Sequence, residues 1–271
     1  MKLENLIFMR DKYKNIIFVF LFILICSIGN AIEILPSAKG NKWEYESYKI
    51  IKASISHDNN VIATLNDVAY GSSIYKITDK SGDNPVIWEY VEETKMDSPS
   101  GVSDSSKATI KYSYKNEKMV LHEITTISGT DKKTETQTYK PPLVYFDSSF
   151  KIGDKWDVGE IRDGDTTTFL QAEIVGMEDV KVPAGTFNNC VRVVYHSNKI
   201  AGTINMWDSE FKIKDAKSRS VYWIAEGVGV VKELEVYTST SESEGPDGKP
   251  IILKTATCVV SELSPGYIVK K

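Results

Sequence analysis

Few residues in this sequence have types and spacings that could do chemistry. Cys190 and Cys258 are the two cysteines beyond the N-terminal region, and the histidines His57, His122 and His196 are scattered. None of them shows metal-ligand spacing. There is also no Gly-x-Ser-x-Gly elbow, His-Glu-x-x-His helix, phosphate-binding loop or dinucleotide fingerprint. We therefore expect no enzyme, catalytic residue, cofactor or metal. A hydrolase whose catalytic residues lie far apart in sequence is a third-ranked interpretation.

The two cysteines lie in segments that look like strands, so they could meet across a sheet as a disulfide. The segments are Cys190-Val-Arg-Val-Val-Tyr195 and Thr255-Ala-Thr-Cys-Val-Val260. Closing so long a loop would stabilise the fold by roughly 4 kcal/mol in the chain-entropy model. The alternative is two buried thiols that pack as small hydrophobic groups.

The N-terminus has the three parts of a secretory signal in order. A net positive segment is followed by the apolar run 16–25 and then by small residues at Gly29 and Ala31. The run is shorter than the roughly 20 residues that cross a bilayer. This predicts a signal peptide over 1–31, cleaved after Ala31, and an exported protein in the periplasm or outside the cell. The alternatives are an uncleaved anchor and a lipid anchor on Cys26, although Cys26 follows bulky residues where lipoprotein signals carry a small one.

The charge of the chain argues against nucleic acid as a partner. The full chain has a net charge of −4 and a pI of about 5.6. Without four basic and two acidic residues of the signal, Ile32–Lys271 would carry −4 − 4 + 2 = −6. Phosphate contacts need clustered Lys and Arg, and no basic run occurs.

Apolar residues recur at every second position, which predicts a mainly β protein. One such set is Trp43, Tyr45, Ile51, Ala53 and Ile55, interrupted by Ser47 and Lys49. In a later segment Val228, Val230, Leu234 and Val236 alternate with Gly229, Val231, Glu233 and Glu235, and Lys232 shares the parity of the first set. Such alternation is typical of antiparallel strands with one packed face.

Turn residues divide these segments. Pro183 and Gly185 suit a type I turn in Val182-Pro-Ala-Gly185, with Phe187 buried beside it. Gly227 and Gly229 flank Val228 where a strand reverses, and glycine supplies the positive φ that such turns need. The polar stretches 95–107 and 238–250 read as exposed loops.

One short repeat predicts two related halves. Gly40-Asn-Lys-Trp-Glu44 matches Gly153-Asp-Lys-Trp-Asp157. Trp43 and Trp156 would each begin a strand and cap an end of the core. We therefore divide the exported chain into β-rich halves at 32–140 and 141–271.

The second half resembles a group of uncharacterised secreted bacterial proteins. The resemblance covers about 142–240 and is carried by Gly153-Asp-Lys-Trp156, the turn Val182-Pro-Ala-Gly-Thr-Phe187 and the hairpin Tyr222-Trp-Ile-Ala-Glu-Gly-Val-Gly-Val-Val-Lys232. The group is similar to domains of unknown function that are distantly like the lipoprotein carrier LolA. This resemblance implies a curved antiparallel sheet, an incomplete barrel with an apolar concave face. The alternative fold is a β-sandwich. The resemblance implies no activity.

Together these features favour a non-catalytic exported protein that binds a lipid or another apolar ligand on a curved sheet. The alternative is a structural or interaction module of a cell-envelope or surface assembly. We expect that the mature chain does not span a membrane, and the sequence leaves the oligomeric state open.

Overall fold

The computed structural model describes residues 38–81, 87–98, 103–115, 118–128, 133–147, 149–163, 165–206 and 209–270. The predicted signal peptide, its cleavage site Ala31 and Cys26 lie outside these ranges. No helix long and apolar enough to cross a membrane occurs among the described residues.

Thirteen strands make up the described chain, and they are long because alternating β-branched and aromatic residues favour a pleated, half-buried surface. They are β1 Lys42–His57, β2 Asn60–Ser81, β3 Ile87–Asp97, β4 Ser103–Lys115, β5 Lys118–Ser128, β6 Lys133–Asp147, β7 Lys155–Asp163, β8 Thr166–Val182, β9 Gly185–Ala201, β10 Thr203–Met206, β11 Ser209–Ala225, β12 Gly229–Glu244 and β13 Pro250–Leu263.

All thirteen strands belong to one antiparallel sheet with the order β6-β5-β4-β3-β2-β1-β13-β12-β11-β9-β8-β7, and β10 pairs with β11. Each half of the path is a meander, and the halves join where β1 pairs with β13. The sheet curls until its two edges nearly meet, leaving one seam unsealed. This confirms a mainly β protein with a curved sheet that forms an incomplete barrel, and it replaces the alternative of a β-sandwich.

The two edge strands touch at one end of the seam. The Trp156 indole Nε1 donates a hydrogen bond of 3.2 Å to the carbonyl oxygen of Tyr145. Leu143 packs so closely on Gly159 that a Cβ there would lie 2.8 Å from Leu143 Cδ2. We call this end of the sheet the closed end.

The main hydrophobic core fills the closed end. Its largest fully buried side chains include Trp43, Tyr45, Tyr75, Tyr145 and Tyr195. The rings of Tyr145 and Tyr195 stack with centroids 4.6 Å apart, which adds to the stabilisation that burial provides. A second, smaller cluster at the opposite end contains Ile55, Phe211 and Leu253.

The repeated sequence adopts the same backbone structure twice. Gly40 N donates to Ile77 O at 2.9 Å, and Gly153 N donates to Ile174 O at 2.7 Å. The return bonds also match, from Ile77 N to Asn41 O and from Ile174 N to Asp154 O. The division at residue 140 stays a prediction.

The two predicted turns lie at the closed end. Val182 pairs with Gly185 across the two-residue connection Pro183–Ala184, and Gly185 has a φ of +139°. Ala184 N donates to Leu263 O at 2.9 Å, so this turn is fastened to the end of β13. Phe187 is half-buried against the core rather than fully buried, because it follows the turn at the rim.

Three sequence interpretations are wrong. Most of the predicted loop 95–107 is strand, because β3 continues to Asp97 and β4 begins at Ser103. Most of the predicted loop 238–250 is strand, since β12 continues to Glu244 and its alternate residues Ser239 and Ser241 are buried. The possible disulfide is absent, because Cys190 and Cys258 are free thiols on β9 and β13, which β11 and β12 separate.

Candidate functional site

The concave face of the sheet is incompletely filled between its two core clusters. Along β1, Trp43, Tyr45 and Ser47 are buried at the closed end, and Ile55 is buried at the other end. Ile51 and Ala53 lie between them on the same face of the strand, yet they are only half-buried. Part of the concave face is therefore accessible to solvent or to a ligand.

Neighbouring strands show the same interruption at the same level. Ile51 lies opposite Thr257 on β13, and Ala53 lies opposite Leu65 on β2. Directly opposed residues in an antiparallel pair share a face of the sheet. The half-buried set defines what we call the interior gap: Ile51, Ala53, Leu65, Thr255, Thr257 and Val259.

The interior gap is elongated along the strands. Eight residues separate Ser47 from Ile55, the last buried positions on either side, which corresponds to about 26 Å at ~3.3 Å per residue. Lys49 and Asp67, also half-buried, share the concave face with the gap. Asp67 Oδ1 accepts a hydrogen bond of 2.6 Å from Ser98 Oγ. The lining is thus mixed, with aliphatic side chains, two threonines and one charge of each sign.

A buried polar layer borders the gap on β12. Glu233 and Glu235 are 1% and 4% exposed and point to the concave face, whereas Leu234 and Val236 point outward. Glu235 lies opposite the gap residue Val259. Serine hydroxyls continue this layer, with Ser47 Oγ 3.0 Å from Ser261 Oγ and Ser239 Oγ 2.7 Å from Thr255 Oγ1.

Tyrosines connect the polar layer to the closed end. A side-chain hydrogen bond links Tyr222 to Glu233, and another links Tyr145 to Tyr222. Burial, followed by the nearby charge of Glu233, holds the pKa of Tyr45, Tyr145 and Tyr222 well above the usual value for tyrosine. These phenols therefore stay protonated and act as hydrogen-bond donors.

A second concavity lies on the outer face of β8, β9, β11 and β12. It is an open groove of about 500 Å³ with Val175, Val194 and Val236 among its lining residues. His196, Lys217 and Arg219 also line it, and in the described parts of the chain none of the three forms an ion pair. This groove is separate from the interior gap, because Val236 and the other lining residues lie on the outer face of the sheet.

The tryptophans and turn glycines singled out from the sequence lie away from the interior gap. Trp43 and Trp156 pack in the closed-end core, and Trp43 Nε1 donates to Val228 O at 2.7 Å. Val228 lies between Gly227 and Gly229, whose φ angles are +67° and +108°. The described residues contain no group of three His, Cys, Asp or Glu side chains that could hold a metal ion.

The cysteines have no reactive character. Burial, together with the charges of Asp179 and Glu178, raises the pKa of Cys190 to about 11. Burial also raises the pKa of Cys258. Reactive thiols have a lowered pKa, so both cysteines are inert at neutral pH.

Sequence reasoning missed the polar layer. The alternation in β12 is visible in the sequence and suggests that Leu234 and Val236 form the packed face. The structure instead buries the intervening residues, Glu233 and Glu235. The relevant signal was Lys232 among the apolar residues: it faces outward, where its Nζ lies 2.6 Å from Glu262 Oε1.

A family model described as DUF3108-like matches residues 155–243, which is about a third of the chain. The matched region starts with β7 and ends within β12, so it includes Glu233 and Glu235 but none of β1, β2 or β13. The match supports a domain of unknown function in the second half, whereas the finer likeness to LolA stays a prediction. No curated protein matches the chain.

Proposed function

We propose that this protein is a non-catalytic binding module that holds an apolar ligand, such as a lipid acyl chain, in the interior gap. The observation that carries the proposal is the half-buried concave face between two fully buried clusters. Residues that point into a curved sheet are normally packed, because protein interiors reach the density of organic crystals. A ligand would complete the packing that the chain leaves incomplete.

The dimensions of the gap suit a single acyl chain. Such a chain spans about half of the ~30 Å hydrocarbon core of a bilayer, or about 15 Å. The gap is longer than this, so a polar group at one end of the ligand would have room beside Lys49, Thr257 or Asp67. Burial of apolar surface is favourable by roughly 25 cal/mol per Å² and would supply the affinity. The few polar groups would set the orientation of the ligand.

The direct experiment fills the gap with a side chain. Ala53→Trp adds an indole between Ile51 and Ile55, and we expect it to abolish binding of a fluorescent fatty-acyl probe. The matched control is Thr64→Trp, which adds the same ring one residue away from Leu65, where the side chain is exposed. The control should bind like the wild type, and thermal melts should show that both variants fold.

Native mass spectrometry of protein purified from its own host provides the second measurement. We expect a bound lipid in the wild type and none in the Ala53→Trp variant. A wild-type protein that carries no ligand and does not bind acyl probes would contradict the proposal. Equal binding by both tryptophan variants would place the ligand elsewhere.

Export is part of the proposal, because a signal peptide over 1–31 would deliver the module to the periplasm or the exterior. N-terminal sequencing of the protein from its host should begin at Ile32. A chain that starts at Met1, or a lipid-modified Cys26, would require an anchored protein instead.

The second candidate is a structural or interaction module of an envelope assembly. It is favoured by outward-facing apolar residues, of which Val236 is 37% and Tyr70 is 57% exposed. Crosslinking in the native host separates the two functions. A specific partner protein together with an empty gap would favour the assembly role.

A further inference from the structure

The outer face of the sheet carries a continuous apolar surface at the junction of its two halves. We call it the outer band and define it by three strands: Leu234 and Val236 on β12, Cys258 and Val260 on β13, and Tyr48 and Ile50 on β1. These residues form two rows, because Val260 pairs with Leu234 on one side and Tyr48 on the other, whereas Cys258 pairs with Val236 and Ile50. All six have the parity opposite to the buried concave residues of their strands.

The outer band is accessible along its whole width. Val236 is 37% exposed, and the other five residues are half-buried. On β2 the band is extended by Tyr70, whose ring centroid lies 5.0 Å from that of Tyr48. Contiguous exposed apolar patches are uncommon on soluble monomers and usually mark an interaction surface.

Opposite charges border the outer band on its two sides. On the outer face of β1, Glu46 is the next outward-facing residue before Tyr48, and Lys52 is the next one after Ile50. Glu262 lies beside Glu46 on the neighbouring strand β13. Neither Glu46 nor Lys52 forms an ion pair in the described parts of the chain, although Lys232 pairs with Glu262. The outward sequence of β1 is therefore Glu, Tyr, Ile, Lys, with an acid and a base equally far from the centre.

We propose that the outer band binds a second copy of this chain, face to face. A two-fold axis that lies in the interface, perpendicular to the strands and between the two apolar rows, places each row on the other row of the partner copy. The same rotation sets Lys52 opposite Glu46 of the second copy, with Glu262 of that copy beside it. An isologous interface needs such self-complementarity, and this surface has it in its charges and in the arrangement of its two apolar rows.

The size of the surface predicts a weak dimer. Four strands about 4.8 Å apart and seven or eight residues along each give roughly 20 Å by 25 Å, or about 500 Å² per copy. Two copies would bury about 1,000 Å², which is the lower end for specific interfaces. Two sheets packed in this way lie about 10 Å apart with strands within about 30° of each other.

A charge-swap series measured by sedimentation equilibrium tests the proposal. We expect the wild type to form a reversible dimer. Lys52→Glu and Glu46→Lys should each weaken it by about tenfold, because each change creates two like-charge contacts. The double variant should return to within about threefold of the wild type, since the pairs are rebuilt with opposite polarity. The two positions lie about 20 Å apart within one copy, so no contact inside the chain can give this rescue.

The matched control is Lys181→Glu, which makes the same charge change at an exposed position near the turn of β8 and β9. It should dimerise like the wild type, and all variants should keep the wild-type melting temperature. At alkaline pH, where more of its thiol is ionised, alkylation of Cys258 in the outer band should slow as the protein concentration rises, whereas buried Cys190 stays unreactive.

Three results would overturn the proposal. The first is a wild type that remains monomeric across its soluble range. The second is a dimer that none of the charge variants weakens, which would place the interface on another face. The third is a monomer that binds phosphatidylglycerol vesicles and loses this binding in Lys52→Glu, which would make the outer band a lipid-contacting surface.

Discussion

The two copies of the repeated strand start differ in what surrounds them. The backbone at Gly40–Trp43 and at Gly153–Trp156 makes equivalent hydrogen bonds, and the two glycines have φ angles of +88° and +94°. Trp43 is fully buried and donates to Val228 O, which lies 185 residues away. Trp156 is only half-buried and donates to Tyr145 O, 11 residues away at the seam.

This difference separates two levels of structure. The short repeat determines the local backbone conformation, because its glycine adopts a positive φ and the same backbone hydrogen bonds then form at both positions. The contribution of each tryptophan to the free energy of unfolding depends instead on the strands that surround its side chain. Trp43 ties the first strand to the turn between β11 and β12, whereas Trp156 closes one end of an edge.

The largest loss of stability should occur at alkaline pH, because ionisation affects all the buried tyrosines of the closed-end core at once. Burial raises the pKa of Tyr45, Tyr145, Tyr195 and Tyr222 well above that in the unfolded chain. The native state then holds protons that the unfolded chain loses above about pH 10, so stability is complete below that pH and falls as the pH rises.

We expect cooperative unfolding in which the rise of phenolate absorbance at 295 nm coincides with the loss of the strand signal in circular dichroism. Complete ionisation of all the tyrosines while the sheet remains folded would show that the closed end is open to solvent.

Truncation of the two tryptophans should give unequal losses. Trp43→Ala should lower the free energy of unfolding by about 3–5 kcal/mol, as expected for a buried aromatic residue. Trp156→Ala should cost about 1–2 kcal/mol, because part of its ring is exposed and less apolar surface is lost. Urea denaturation of both variants measures the difference, and equal losses would contradict the contrast between the two sites.

Substitutions in the turn between β8 and β9 should lower the free energy of unfolding by intermediate amounts. Gly185→Val forces a β-branched residue to a φ of +139° and should cost about 1–3 kcal/mol. Phe187→Ala should cost less than a fully buried phenylalanine, because the ring is half-buried. If either variant melts like the wild type yet fails to bind the acyl probe, the turn belongs to a functional site.

The smallest effects should come from the paired glycines, and they should be equal. Gly40→Ala and Gly153→Ala each place a Cβ at positive φ, which costs roughly 1–2 kcal/mol. No atom lies within 4 Å of a Cβ at 153, and at 40 the nearest is the flexible Lys270 Nζ at 3.3 Å. Thermal melts measure both losses of stability. If the two losses differed by more than a factor of two, the two backbone conformations would not be equivalent.

The residue patterns were sufficient to predict the β class, the antiparallel strands and the positions of several turns, whereas the curvature of the sheet was implied only by the family resemblance. Alternation of apolar residues shows the strand period, and turn residues such as Pro183 and Gly185 carry local conformational preferences. Alternation does not reveal which parity faces inward when both faces hold apolar residues. Leu234 and Val236 face outward for this reason, and Glu233 and Glu235 were not recognised as interior.

The interior gap could not be predicted from local patterns. It depends on the register that places Ile51 opposite Thr257 and Ala53 opposite Leu65, and such registers join distant segments. The stretch 238–250 was misread because Ser, Thr and Glu are typical of loops. Ser239 fits a strand because its hydroxyl lies 2.7 Å from Thr255 Oγ1 on the concave face, and Ser241 is small enough to be buried between Ile213 and Leu253.

The pairing of β1 with β13 has a consequence for how the chain folds. Tyr45 pairs with Leu263, so the first strand of the sheet receives one of its two neighbours from a segment 218 residues later. Contacts of such long sequence separation slow folding, because the loop must close before the ladder can form. During synthesis both meanders can form early, but β1 and β12 keep bare edges until β13 has left the ribosome. A chain truncated before residue 250 would therefore expose the unpaired hydrogen-bonding edges of β1 and β12, which favour aggregation. Chaperones that cover unpaired strands would be needed most during this interval of synthesis.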